Sequence, residues 1–156
     1  YLHAILAAIS TFKKSTNMAS IFTKILAGEI PGHFVWKDEF CFCIMTIQPI
    51  RAGHVLVIPN EEVNHWDDVK PAVAAHLMQV AQLVTKGIKV VIPCKRVGVT
   101  VIGLEVPHTH IHLIPIDSMA DLDFKFARAM PADELAATAA SIREVLVSQG
   151  NLAADL

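Results

Sequence analysis

Val106-Pro107-His108-Thr109-His110-Ile111-His112-Leu113-Ile114-Pro115 places three of the chain's eight histidines within five residues. Residues 109–114 carry the β-rich composition of a strand, and in a strand alternate side chains share a face. The three imidazoles then point one way, while Thr109, Ile111 and Leu113 point the other. Three stacked imidazoles repel one another if charged, and they leave polar nitrogens unpaired if merely buried. The row therefore reads as a functional surface. Two chemistries want it: a metal site, for which no carboxylate or cysteine lies close in sequence, or an imidazole nucleophile with neighbours that orient it and handle protons.

Outward from this row, Val97–Ile102 and Val55–Ile58 read as strands, the latter stopped by Pro59. His33–Trp36 and Phe40–Ile47 form an expected hairpin around Lys37-Asp38-Glu39. Ser20–Gly28 reads as a short helix with Ser20 as N-cap and Gly28 as stop. Apolar residues at Val73, Leu77, Val80 and Val84 mark one face of a helix from Pro71 to about Lys86, ahead of Pro93. A last helix opens near Pro131, buries Leu135, Ala139, Ile142 and Leu146, and ends at Gly150. Strands gathered around one long helix predict an α+β fold with a mostly antiparallel sheet.

The 156 residues are 53% hydrophobic and 18% charged, enough for one domain with a sizeable core. Thirteen Lys and Arg against 15 Asp and Glu, a net charge of −2, lack the basic excess of a protein that grips a nucleic-acid polymer. Lys70, Lys86, Lys89, Lys95 and Arg96 have no acid between them; they are a solvated face or a phosphate-attracting rim. Cys41, Cys43 and Cys94 are odd in number and do not read as a disulfide framework, so a reducing, cytoplasmic compartment is expected. Leu2–Ile9 is apolar but too short to span a bilayer, and no membrane association is expected. Residues 1–17 read as an extension or cloning remnant ahead of a natural start at Met18, residues 18–150 as the domain and 151–156 as a tail.

Gly53-His54-Val55-Leu56-Val57-Ile58-Pro59, followed by His108-Thr109-His110-Ile111-His112-Leu113-Ile114-Pro115, resembles the histidine triad (HIT) family of nucleotide hydrolases and transferases. Ser20-Ile21-Phe22-Thr23-Lys24-Ile25 through Glu29-Ile30-Pro31 is similar to that family's opening segment. The resemblance implies about five antiparallel strands with two main helices, the sheet continued across a homodimer. It also implies attack by His110 on the α-phosphorus of a nucleoside phosphate derivative, a covalent nucleotidyl-histidine, and no required metal or cofactor. His108 and His112 would line the phosphate site, with His54 close by. Ile21, Phe22, Ile25, Ile30, Ile44 and Leu56 would hold a base, with a purine favoured.

Departures from the pattern are specific. Where many members open with a zinc-binding Cys-x-x-Cys pair and add a later histidine, this chain has Ser20, Thr23 and Glu62. Thr46 stands where an aspartate commonly holds the ribose. Gly103-Leu104-Glu105 replaces Gly-Gln-Ser/Thr, which leaves Glu105 as a proton donor to the leaving group or a plain surface residue. Two rival readings follow: a purine-nucleotide binding module with weak or vestigial catalysis, and a metal-dependent enzyme using His108, His110 and His112 as ligands.

Overall fold

The computed structural model describes residues 19–156; the expected extension over 1–17 and the start at Met18 lie outside them. Helix α1 (Ile21–Leu26) leads into strands β1 (Phe34–Lys37), β2 (Cys41–Met45) and β3 (Val55–Pro59). Then come helix α2 (Pro71–Val91), strands β4 (Arg96–Val101) and β5 (Ile111–Ile116), and helix α3 (Ala132–Ser148). All neighbours in the sheet are antiparallel, in the order β1-β2-β3-β5-β4. The fold is the expected α+β class, with a five-stranded antiparallel sheet and three α-helices among the described residues.

The hairpin turn between β1 and β2 is built around Asp38. One carboxylate oxygen accepts the N–H groups of Phe40 and Cys41, and the other accepts from Trp36 Nε1 and pairs with His76 Nε2 on α2 at 2.8 Å. Asp38, Cys41 and His76 bring three metal-binding side chains together. The Trp36 N–H points at the oxygen a cation would take, so the cluster is a hydrogen-bonded tie between turn and helix.

The pleat divides the sheet chemically. Cys43, Met45, Val55, Val57, Ile111 and Leu113 face α2 and α3 in the main core, where Leu77, Val80 and Val84 meet Leu135, Ala139, Ile142 and Leu146. Ile44, Leu56 and Ile58 face the other way, packed with Phe22 and Ile25 of α1 and with Phe42. The histidine row lies on this second face.

Helix α2 runs to Val91, beyond the expected end near Lys86. Gly87 lies at the crossing with α3, where an added Cβ would come within 3.1 Å of Leu146 and 3.2 Å of Ile142. The missing side chain lets the helices approach, and their packing outweighs glycine's low helix propensity. Lys70, Lys86, Lys89, Lys95 and Arg96 are all exposed, and Lys70 pairs with Glu61. Lys86 and Lys89 lie on α2, across the sheet from the histidines, which is a solvated face. The expected tail at 151–156 folds back, with Ala154 buried in the main core.

Candidate active site

The strand carrying the histidines lies two residues later than alternation suggests, because β5 begins only at Ile111 and runs to Ile116. The β3–β5 ladder pairs Val55 with Leu113, Leu56 with His112 and Val57 with Ile111, so the same register would set Ile58 opposite His110 and, two places on, Pro59 opposite Thr109. Proline has no N–H to offer, and the ladder stops. The Thr109 N–H turns to the Val63 carbonyl, and the His108 N–H to the Val106 carbonyl. The approach still keeps the rings together: His110 and His112 lie 4.8 Å apart between centroids, and Phe22 sits edge-on to His108 and His110.

Hydrogen-bond partners fix the protons. His110 Nδ1 lies 2.7 Å from the His108 carbonyl, an obligate acceptor, so Nδ1 carries the hydrogen and Nε2 keeps a free lone pair. The Ile50 N–H donates to His54 Nδ1, so the His54 proton is on Nε2, which donates to His112 Nδ1 at 3.0 Å. His112 is left with Nε2–H as its free donor. His108 has no free nitrogen: Nε2 donates to the Pro59 carbonyl at 2.9 Å, and Nδ1 meets the Ser20 hydroxyl at 2.7 Å. The expectation that His108 lines the phosphate site is therefore not met by its ring, whose contribution to the row is its carbonyl. A ligand set of His108, His110 and His112 would require the His108 ring to give up one of these bonds.

Burial is the largest cause that lowers the pKa of each of the four imidazoles. His54 is pushed down to about 3 by desolvation and by the neighbouring His112 and His110; His112 falls to about 4 through desolvation and His110. His110 is lowered by burial, against opposing contributions from the His108 carbonyl and the Glu105 charge. The row is neutral at pH 7, which keeps the His110 lone pair available.

Gly53 sets the position of His54. Its φ is +84°, and an added Cβ would lie 2.7 Å from Ile92 Cγ1 and 3.2 Å from Pro115 Cγ. The preceding Arg51 pairs with Asp117 at 2.9 Å and Asp121 at 3.3 Å, which ties this loop to the segment after β5.

Of the six residues expected to hold a base, Phe22, Ile25, Ile44 and Leu56 pack in one buried apolar cluster that meets the row at Phe22, with half-buried Ile30 against it. Ile21 stands apart, 45% exposed on the outer side of α1. Thr46 is half-buried just past β2. Its N–H reaches the His54 carbonyl, and its hydroxyl accepts from Gln48 N at 3.4 Å. Glu105 is exposed, close enough for its charge to act on His110. Phe124, which no sequence pattern singles out, stands edge-on to His112 at 5.0 Å and to His54 at 6.4 Å. A cleft of about 270 Å³ opens among Ile50, Arg51, Phe126, Arg128 and Glu134, but no histidine of the row lines it.

The zinc implied by the Cys-x-x-Cys pattern does not fit the residues here. Thiolate ligands are replaced by the neutral Ser20 and Thr23 hydroxyls, and Glu62 already accepts from Thr23 Oγ1 and Ser20 N.

The sheet, the four imidazoles and their spacing define a HIT domain, and the family model of that name matches residues 27–119. The chain belongs to the HIT family. It is 30% identical over 100 residues to an adenylylsulfatase of Arabidopsis thaliana, covering 61% of this chain and 51% of that protein, so the match spans about half the length of that relative. It is 30% identical over 98 residues to an adenosine 5′-monophosphoramidase of Saccharomyces cerevisiae, with 62% of each chain covered. Among solved structures it is similar to a hypothetical histidine triad nucleotide-binding protein of Sulfolobus tokodaii, at a TM-score of 0.71 and 26% identity, over 86% of this chain and 96% of that one. A zinc-bound histidine triad protein of Mycobacterium smegmatis shares the fold, with a TM-score of 0.74 at 23% identity, over 85% and 96% of the two chains.

Proposed function

We propose that the protein is a nucleotide hydrolase or nucleotidyltransferase that attacks the α-phosphorus of a nucleoside phosphate derivative through His110. The observation that carries this reading is the bond from His110 Nδ1–H to the His108 carbonyl, which leaves Nε2 unprotonated in a neutral, buried row. Nε2 forms the P–N bond as the bond to the leaving group breaks and the leaving group takes up a proton. Water then adds to phosphorus, gives up a proton and displaces the imidazole, releasing the nucleoside monophosphate; another acceptor in place of water makes the reaction a transfer. The His112 Nε2–H suits a non-bridging phosphate oxygen, where negative charge builds as the nucleophile arrives. The apolar cluster of Phe22, Ile25, Ile44 and Leu56 suits the flat face of a base, and the similarity to an adenosine 5′-monophosphoramidase supports a purine. No step requires a metal.

Incubation with a nucleoside 5′-phosphoramidate, followed by mass spectrometry, tests the proposal. The expected result is an acid-labile nucleotide adduct on His110 and turnover that persists in a chelator. His110→Gly should abolish both while nucleotide affinity stays within about tenfold, because the variant removes the chemical step and leaves the pocket. Undiminished turnover in His110→Gly would overturn the mechanism, and loss of activity with stoichiometric zinc in the chelator would support the metal-dependent alternative. Binding without any adduct or turnover would make the protein a nucleotide-binding module.

A further inference from the structure

Behind the histidine row, three distant segments meet in one polar chain that runs from half-buried Glu62 and Thr23 to buried Ser20 and His108. Glu62 Oε2, in the loop after β3, accepts the Ser20 N–H at 2.9 Å and the Thr23 hydroxyl at 2.5 Å. The Thr23 N–H caps onto Ser20 Oγ at 3.1 Å, the two hydroxyl oxygens lie 3.2 Å apart, and Ser20 Oγ reaches His108 Nδ1 at 2.7 Å. His108 is fully buried, and Glu62 forms no ion pair with Lys or Arg among the described residues. The carboxylate thus has two hydroxyls and an imidazole to act on, and no competing cation.

The donors and acceptors allow two settings. With His108 neutral, its proton sits on Nε2, which Pro59 O requires; the Ser20 hydroxyl then donates to Nδ1, and the Thr23 hydroxyl donates to Glu62. With His108 protonated, Nδ1–H donates to Ser20, the Ser20 hydroxyl rotates to donate to Thr23, and Thr23 still donates to Glu62. One hydroxyl rotation therefore completes an unbroken chain from imidazolium to carboxylate. The titratable groups acting on His108 are Glu62, which favours the cation, and His110, which opposes it.

We propose that Glu62 is a positioning residue for the histidine row: through the Thr23 and Ser20 hydroxyls it governs the protonation of His108, and through the His108 carbonyl it holds the His110 ring with Nε2 free. The catalytic part of this inference rests on His110 being the nucleophile. The part about His108 stands on the hydrogen-bond chain alone.

Two shape-conserving variants cut the chain at different links, Glu62→Gln at the charge and Thr23→Val at the hydroxyl. The first readout needs no turnover: two-bond 1H–15N correlation spectra of the histidine rings across pH. In the parent, His108 should hold its proton on Nε2 at high pH and gain a second on Nδ1 as pH falls. In each variant that second protonation should move to lower pH. The second readout is kinetic, with an expected fall in kcat of about tenfold and a KM within about twofold, as for a misplaced reacting group. The double variant should be no worse than the poorer single one, because both cut the same chain. An unmoved His108 titration in Glu62→Gln, or additive losses in the double variant, would overturn the proposal. If His110→Gly proves as active as the parent, the nucleophile reading falls, while the His108 titration still decides the role of Glu62.

Discussion

Lowering the pH from 7 to 5 should destabilise this protein through two imidazoles in particular. His54 and His112 are almost wholly buried and share a hydrogen bond, with folded pKa values near 3 and 4. In the unfolded chain both return to about 6.5. Between these values the unfolded state binds more protons than the folded one, so the stability contributed by keeping both rings neutral is complete above about pH 6.5 and is lost as pH falls. At pH 5 each ring costs about 2 kcal/mol relative to high pH, about 4 kcal/mol for the pair. The limiting slope from the two is about 2.7 kcal/mol per pH unit, which is large against a typical domain stability of about 5–15 kcal/mol. Burial also lowers the pKa of His108 and His110, which adds to the slope, whereas ordinary carboxylates enter mainly below about pH 5. The decisive comparison is with His112→Asn. Urea unfolding at pH 8, 7, 6 and 5 should show its slope reduced by about 1.4 kcal/mol per pH unit, whatever its absolute stability. Equal slopes in parent and variant, or a parent whose stability is flat from pH 7 to 5, would refute the neutral, buried pair.

Thr46, a neutral side chain where a carboxylate would hold both ribose hydroxyls, should give less than about tenfold discrimination in kcat/KM between ribo- and 2′-deoxyribonucleotide substrates, and Thr46→Asp should widen it. Strong ribose selectivity in the parent, unchanged in the variant, would show that other groups hold the sugar. Gly53→Ala should cost about 1–3 kcal/mol in chemical denaturation, from the forced positive φ and the overlap with Ile92, and should lower activity by shifting His54. Among the described residues β4 is an edge strand, with Val99 48% exposed on it, and a homodimer that continues the sheet there is expected; sedimentation showing only monomer at micromolar concentration would contradict it.

Periodicity made most of this fold legible. Leu77, Val80 and Val84, and Leu135, Ala139, Ile142 and Leu146, are buried as their spacing predicts. Alternation assigns Ile111 and Leu113 to one face and His112 to the other. The end of α2 was not readable, because Gly87 acts as a stop or as a contact depending on what crosses it, and α3 lies about 55 residues further along the chain. The histidine row was visible as a motif, but the proton positions within it depend on Pro59, Ile50 and Ser20, whose carbonyl, amide and hydroxyl are placed by the tertiary fold. Ser20 was visible as an N-cap and, with Thr23 and Glu62, as a replacement for metal ligands, whereas the chain they form emerges from contacts 39 to 88 residues apart. Phe124 lies in an irregular segment with no period to mark it.

Pro59 works like the end stop on a zip fastener. Beyond it β3 and β5 part, and the two flaps so released, residues 60–65 and 102–108, border the histidines without belonging to the ladder. Changes in length or composition in either flap leave the strand register untouched, since the last closed pair is Val57 with Ile111. Substrate preference can therefore drift at flap positions other than Glu62 and His108 while the rings stay in place, and one imino acid marks where the ladder gives way to them.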